Sequence, residues 1–160
     1  MNKRAQMIGQ IFVFVVAAII FILILTYGYK AISNFLARSE QVALIDFKSD
    51  LESAVEVIKR DYDSVRKVEL RLPKRFNELC VVDVDKCGAL KASRPLMYSL
   101  CLAGSENVFL VPKQETPIFL PDISVPDPGF VCVPVAGGKA VLRLEGLGKS
   151  TLVSEWPVKE

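Results

Sequence analysis

The sequence predicts an α+β protein, in which one long N-terminal helix precedes an antiparallel β-sheet head. Three observations predict this class. An uncharged apolar run extends from Ala5 to Tyr29, and a stretch without proline or glycine extends from Ala31 to Lys67. After Pro73, short alternating apolar segments are separated by turn residues, which is typical of strands. The helix is therefore expected to have a transmembrane half and an amphipathic half.

The apolar run predicts a transmembrane helix over residues 6–29. About 20 apolar residues span the hydrocarbon core of a bilayer as a helix. A secretory signal peptide that is removed has a shorter apolar region and then small residues at its cleavage site. Tyr27 and Tyr29 stand where those small residues would be, and they suit the aromatic belt at a membrane surface. The sequence therefore favours a retained anchor over a removed signal peptide.

The flanking charges predict the orientation of the anchor. Lys3 and Arg4 lie with the amino terminus at one end, whereas Lys30 and Arg38 are more widely spaced at the other end. Positive charge favours the cytoplasmic side. We therefore expect a cytoplasmic N-terminus and an extracytoplasmic C-terminal head at the cell surface.

An apolar stripe predicts an amphipathic helix over residues 30–67. Leu44, Leu51, Ile58 and Val65 recur every seven residues, as in a coiled-coil-like helix face. Nothing in the sequence clearly interrupts the helix between the anchor and the stripe, so one helix is expected from about Ile8 to about Val65. Two interpretations of the stripe remain open. It packs on the chain's own C-terminal domain, or part of it packs on neighbouring subunits.

Residues 68–160 predict a β-rich head, an antiparallel sheet of five to seven strands that leans on the second half of the helix. Val68, Leu70 and Leu72 alternate with polar residues, and further strands are expected at 79–84, 107–111, 117–120, 130–135, 139–146 and 150–156. Hairpin turns are expected at 136–139 and 146–149. Residues 94–104 predict a short helix, with Pro95 near its first turn and Gly104 at its end.

The four cysteines all lie in the predicted head. Their spacing lacks the close pairs of a zinc site, and an even number in an exported domain fits disulfides. Four cysteines allow three pairings. Because Cys80 and Cys132 each lie in a predicted core strand, we expect the pairs Cys80–Cys132 and Cys87–Cys101. Free buried thiols and a metal site are the alternatives.

The composition argues against an enzyme. The sequence has no histidine, which excludes Ser-His-Asp and Cys-His catalysis, His-ligated zinc and proximal-His haem. The net charge is +2, without a strongly basic half, so we expect no nucleic-acid partner. We likewise expect no catalytic residues, no cofactor and no metal site.

The N-terminal sequence KRAQM (3–7) resembles the archaeal prepilin and archaellin signal, in which a basic pair and a small residue precede glutamine and an unbroken apolar helix. The resemblance implies that a membrane-embedded prepilin peptidase cuts between Ala5 and Gln6. Residues 1–5, with the basic pair Lys3 and Arg4, would then be the leader. Bacterial pilins carry glutamate at the fifth mature position, which here is Gln10, and archaeal members often lack that glutamate.

The layout of a long helix and a β-rich head is also similar to that of type IV pilins. The resemblance implies a non-enzymatic structural subunit or minor pilin of an archaeal type IV pilus-like filament. Its partners would be the membrane, the prepilin peptidase, and other copies or other pilins contacted through the N-terminal helix. The alternative is a single-pass membrane-anchored binding or adhesion domain that does not polymerise.

Overall fold

The computed structural model confirms an α+β architecture, with a long N-terminal helix followed by β-sheets. It describes the backbone of residues 3–114 and 116–157, and the side chains of residues 12–36, 38–114 and 116–157. The chain divides into two compact units, Met1–Gln41 and Val42–Glu160. The elements are α1 (Lys3–Arg60), β1 (Val65–Arg71), β2 (Glu78–Val82), a 3₁₀ segment (Val84–Leu90), α2 (Pro95–Leu102), β3 (Val108–Val111), β4 (Ile123–Ser124), β5 (Phe130–Pro134), β6 (Lys139–Gly146) and β7 (Thr151–Glu155).

Helix α1 is one continuous helix of 58 residues, as the sequence predicts, but it ends before the predicted Lys67. A tight turn follows it, in which the backbone N–H groups of Asp61 and Ser64 donate to Ile58 and Asp61. Asp63 adopts a left-handed conformation with φ of 63°. The prediction that Val65 continues the helical stripe is therefore wrong, because the chain has already reversed and Val65 begins β1.

The head has two sheets, whereas the sequence predicted one. The first sheet has the order β1-β6-β7-β4 and the second has the order β3-β2-β5. Strands β4 and β7 pair in parallel, which departs from the antiparallel prediction. The tight turn at Gly137 and Gly138 joins β5 to β6 and so connects the two sheets, instead of closing a hairpin within one sheet.

Residues 117–120 were predicted to form a strand, and this prediction is wrong. Within the described chain, Ile118 makes an isolated bridge to Val108. The Asn107 side chain contacts Leu120 at both backbone groups, through Nδ2 donating to the carbonyl and Oδ1 accepting from the N–H, each at 2.8 Å. A buried side chain therefore satisfies backbone groups that a strand would have paired.

The second part of α1 packs against the head. Phe47, Leu51, Val55 and Ile58 lie at helical spacing and are buried in one cluster with residues of both sheets. Burial of such an apolar face supplies most of the stability of a helix in a folded domain. The interpretation that this face packs on the chain's own C-terminal domain is therefore correct for these residues.

Two polar contacts fix this part of α1 to the first sheet. The buried Thr151 hydroxyl donates to the Val55 carbonyl at 2.9 Å. Lys59 Nζ contacts the Asp122 carboxylate at 2.7 Å, and this hydrogen bond raises the pKa of the Lys59 ammonium. The contacts lie at the start of β7 and just before β4, so the helix crosses that end of the sheet.

Candidate functional site

The candidate functional segment is the apolar part of α1. Every described side chain from Phe12 to Tyr27 is exposed, including Phe12 at 69% and Phe21 at 62%. Among the described residues, one helix is long and apolar enough to cross a membrane. Soluble proteins rarely expose contiguous apolar surface of this extent, because burying it is strongly favourable. The segment is therefore compatible with a membrane anchor.

The polar residues of this segment suit an apolar environment. Thr26 donates its hydroxyl to the carbonyl of Ile22 at 2.8 Å, four residues earlier in the same helix. A hydroxyl paired in this way does not need water. Tyr27 and Tyr29 are exposed near the end of the apolar run, where an aromatic ring and its hydroxyl can face a membrane surface.

The candidate cleavage site lies within α1, because the helix begins at Lys3. The backbone of Lys3, Arg4, Ala5 and Gln6 is helical. Their side chains, like that of Gln10, lie outside the described residues. The proposal that the chain is cut between Ala5 and Gln6 therefore stays a prediction.

The head contains two disulfides, which account for all four cysteines. Cys80 is bonded to Cys132, its direct neighbour across the antiparallel strands β2 and β5. Cys87, in the 3₁₀ segment, is bonded to Cys101 in α2. These are the two pairs that the sequence favoured. Both lie in a small second core with Leu90 and other apolar residues, so they join α2 and the 3₁₀ segment to the second sheet.

One group of described residues contains the residue types of a metal site, but its side chains are not available as metal ligands. Glu78, Cys80 and Cys132 place possible ligand atoms close together. However, both sulfurs are in the disulfide and are not thiolates. The Glu78 carboxylate accepts two hydrogen bonds from the Arg94 guanidinium, each at 2.8 Å. The cluster is therefore a disulfide beside a bidentate ion pair, which ties β2 to the start of α2.

A second ion pair ties two loops of the head together. Lys86 Nζ contacts the Asp127 carboxylate at 2.9 Å and lies 3.4 Å from the Val125 carbonyl. The hydrogen bond that Lys86 donates to Asp127 raises the pKa of the Lys86 ammonium. Asp127 is almost fully exposed, and exposed pairs of this kind contribute little to stability. We therefore assign this pair a minor role in ordering the loop before β5.

Sequence reasoning missed the buried amides that organise the head. The Gln114 side chain accepts from the Leu110 N–H at 2.7 Å and donates to the Val108 carbonyl at 3.0 Å. It thereby occupies the backbone groups along the outer edge of β3. Asn107 does the same for Leu120, as described above. Only the position of Gln114 between Pro112 and Pro117 could have suggested a turn, and the partners of neither amide could be identified from the sequence.

No family model, curated protein or solved structure matches this chain.

Proposed function

We propose that the protein is a non-enzymatic, pilin-like structural subunit or minor pilin of an archaeal type IV pilus-like surface filament. One observation carries the proposal. A single helix joins an exposed apolar segment to an amphipathic segment that packs on a disulfide-bonded β-sheet head. The apolar segment anchors the chain in the membrane before assembly, and the head faces the oxidising exterior.

Assembly would move the apolar half of α1 from lipid to a helix core shared by subunits. Lipid tails are as apolar as the side chains of this segment, so the exchange depends on tight helix packing and not on escape from water. The exposed apolar side chains of residues 12–27 would make these contacts. The head would then form the water-exposed surface of the filament and make its external contacts.

Removal of the leader would suit this change of environment. Lys3 and Arg4 favour the cytoplasmic side while the chain is in the membrane. Inside a packed helix core, the same two cations would be costly to bury without partners. Cleavage by a prepilin peptidase between Ala5 and Gln6 removes both cations and leaves the apolar helix intact. Processing before assembly would therefore avoid the cost of burying these two charges.

The mass of the mature N-terminus tests this proposal. We expect protein made in cells with an active prepilin peptidase to begin at Gln6, as read from intact mass and N-terminal peptides. Replacing both Lys3 and Arg4 by serine should abolish cleavage, because the basic pair belongs to the signal. Replacing Lys30 and Arg38 by serine removes the same charge beyond the anchor and should leave cleavage unchanged. A wild-type chain that keeps Met1 or Asn2 would instead favour a single-pass anchored domain.

The redox state of the four cysteines tests the orientation. If the head is exported, both disulfides form and a maleimide added to denatured, unreduced protein should label none of the four cysteines. After reduction, all four should be labelled. Labelling without reduction in freshly lysed, alkylation-trapped cells would show that the head remains in a reducing compartment and would contradict the proposed orientation.

A further inference from the structure

The edge strands of the two sheets differ in how far their backbone groups are protected from pairing with another strand. The Gln114 side chain occupies the edge of β3, and β4 at the far edge of the first sheet has two residues. Strand β1, at the other edge of that sheet, has seven residues, and β6 is its strand neighbour in the described chain. Natural proteins usually blunt a long edge strand, because its free N–H and C=O groups can pair with another strand.

The hydrogen-bond pattern identifies which groups of β1 point outward. The Leu72 N–H donates to Gly138 and the Ser64 carbonyl accepts from Gly146, both at 2.9 Å. The N–H and C=O of one residue point to the same side of a strand, and successive residues alternate. The backbone groups of the even-numbered residues of β1 therefore face β6. The backbone groups of residues 65, 67, 69 and 71 therefore face outward. Among the described residues, none hydrogen-bonds to these outward groups.

The charges of β1 are complementary to a reversed copy of the same strand. If Val68 of one copy lies opposite Val68 of another, Lys67 lies opposite Glu69 of the second copy, and Glu69 lies opposite its Lys67. Within one copy, Lys67 and Glu69 already form an ion pair at 2.8 Å, which lowers the pKa of the Glu69 carboxyl. The four charges would thus alternate in sign both along and across the strands, an arrangement that stabilises cross-strand pairs.

The same charges disfavour neighbouring registers. The two copies can hydrogen-bond only through the outward backbone groups of their odd-numbered residues. The register can therefore change only in steps that keep odd-numbered residues of one copy opposite odd-numbered residues of the other. The next step in one direction places Lys67 opposite Lys67 of the second copy. The next step in the other direction places Glu69 opposite Glu69. Like charges directly opposite one another are destabilising, so the register centred on Val68 is selected.

A groove beside β1, lined by both apolar and charged side chains, provides space for this contact. It lies between α1 and residues 66–70 of β1, has a volume of about 500 Å³, and is lined in part by Ala54 and Val57. Val57 is 49% exposed, and Val68 lies on the same side of the sheet as the core cluster. In a dimer related by a two-fold axis normal to the sheet, the face that carries Val68 lies on the same side of the joined sheet in both copies. Val68 of the second copy would therefore cover part of this groove.

We propose that β1 is a homotypic docking edge, at which two copies of the chain pair antiparallel through Val65–Arg71 with Val68 at the centre. The two four-stranded sheets then form one continuous eight-stranded sheet with a two-fold, isologous interface. The contact is independent of the proposed filament helix core, because it uses the head alone. One strand pair is smaller than a standard stable interface, so the pairing is weak in dilute solution.

Charge reversal on the full-length chain in detergent tests the pairing, because detergent imposes no common orientation on the anchors. We expect E69K and K67E each to weaken dimerisation about tenfold or more, as measured by sedimentation equilibrium. An equimolar mixture of the two variants should dimerise like the wild type, because opposite charges again meet. The double variant K67E/E69K should also behave like the wild type. Lys91→Glu, which changes net charge equally at an exposed site outside β1, should have no effect.

Introduced cysteines test the register. Chains carrying K67C and chains carrying E69C, mixed and mildly oxidised, should give a disulfide between the two introduced cysteines, identified by peptide mass. Neither population alone should cross-link to a comparable yield. Wild-type chains that stay monomeric even in concentrated samples, single charge variants that dimerise like the wild type, or cross-linking that is equal in the separate and mixed populations would each overturn the proposal. Because α1 is unchanged in every variant, association through that helix cannot reproduce the expected pattern.

Discussion

Replacing Gly146 by alanine is expected to destabilise the head strongly. Gly146 ends β6 beneath the end of α1, and a Cβ atom built on it would overlap the backbone carbonyl oxygens of Ile58 and Asp61. Neither oxygen can move alone, since both belong to the turn that Asp63 and Ser64 fasten to Gly146 by backbone hydrogen bonds. We expect a loss of about 3 kcal/mol or more in the free energy of unfolding.

The matched control for this substitution is Gly88→Ala. A Cβ atom built on Gly88 has no other atom within 4 Å, and neither glycine has a positive φ that would itself penalise alanine. Denaturant unfolding in detergent, followed by the fluorescence of Trp156, measures both variants. We expect Gly88→Ala to stay within about 0.5 kcal/mol of the wild type. Equal stabilities of the two variants would show that α1 does not lie so close to β6.

The close approach at Gly146 illustrates what the sequence could not predict. The segment 146–149 correctly predicts the turn between β6 and β7, because glycine is a local turn signal. However, glycine is required at position 146 because the end of α1 lies against it, and that helix end is more than eighty positions earlier in the chain. Local patterns carry no information about such a contact. The same holds for the end of α1, where the heptad spacing continued to Val65 although the chain had already turned.

The long helix and the separate strands were predictable because they follow from periodicity. The uncharged run and the spacing of Leu44, Leu51 and Ile58 identify α1, and alternation identifies β1 and β6. The division into two sheets, the parallel pairing of β4 with β7 and the protection of β3 by Gln114 all depend on nonlocal pairing. The open edge of β1 likewise could not be predicted from the sequence, because the position of a strand in a sheet depends on which strands pair with it.

Truncating Leu51 to alanine is the second large effect that we expect. Leu51 is fully buried where α1 packs on the sheets, and removing three carbon atoms there leaves a cavity in the main core. Leucine-to-alanine changes at such positions destabilise proteins by about 2–5 kcal/mol. We expect a loss in this range, measured by the same unfolding transition in detergent.

Ile45→Ala is the matched control, and it also tests whether exposed apolar residues of α1 outside the buried face contact neighbouring subunits. Isoleucine loses the same number of carbon atoms as leucine, but Ile45 is 67% exposed and lies on the same helix six residues earlier. We expect its substitution to change stability by about 0.5 kcal/mol at most. If exposed apolar residues of α1 contact neighbouring subunits, Ile45→Ala should reduce filament or oligomer formation without a loss of head stability, whereas Leu51→Ala should destabilise the head even in isolated chains. Equal destabilisation by both substitutions would contradict the packing of Leu51 against the chain's own sheets, since only a buried side chain leaves a cavity when it is removed.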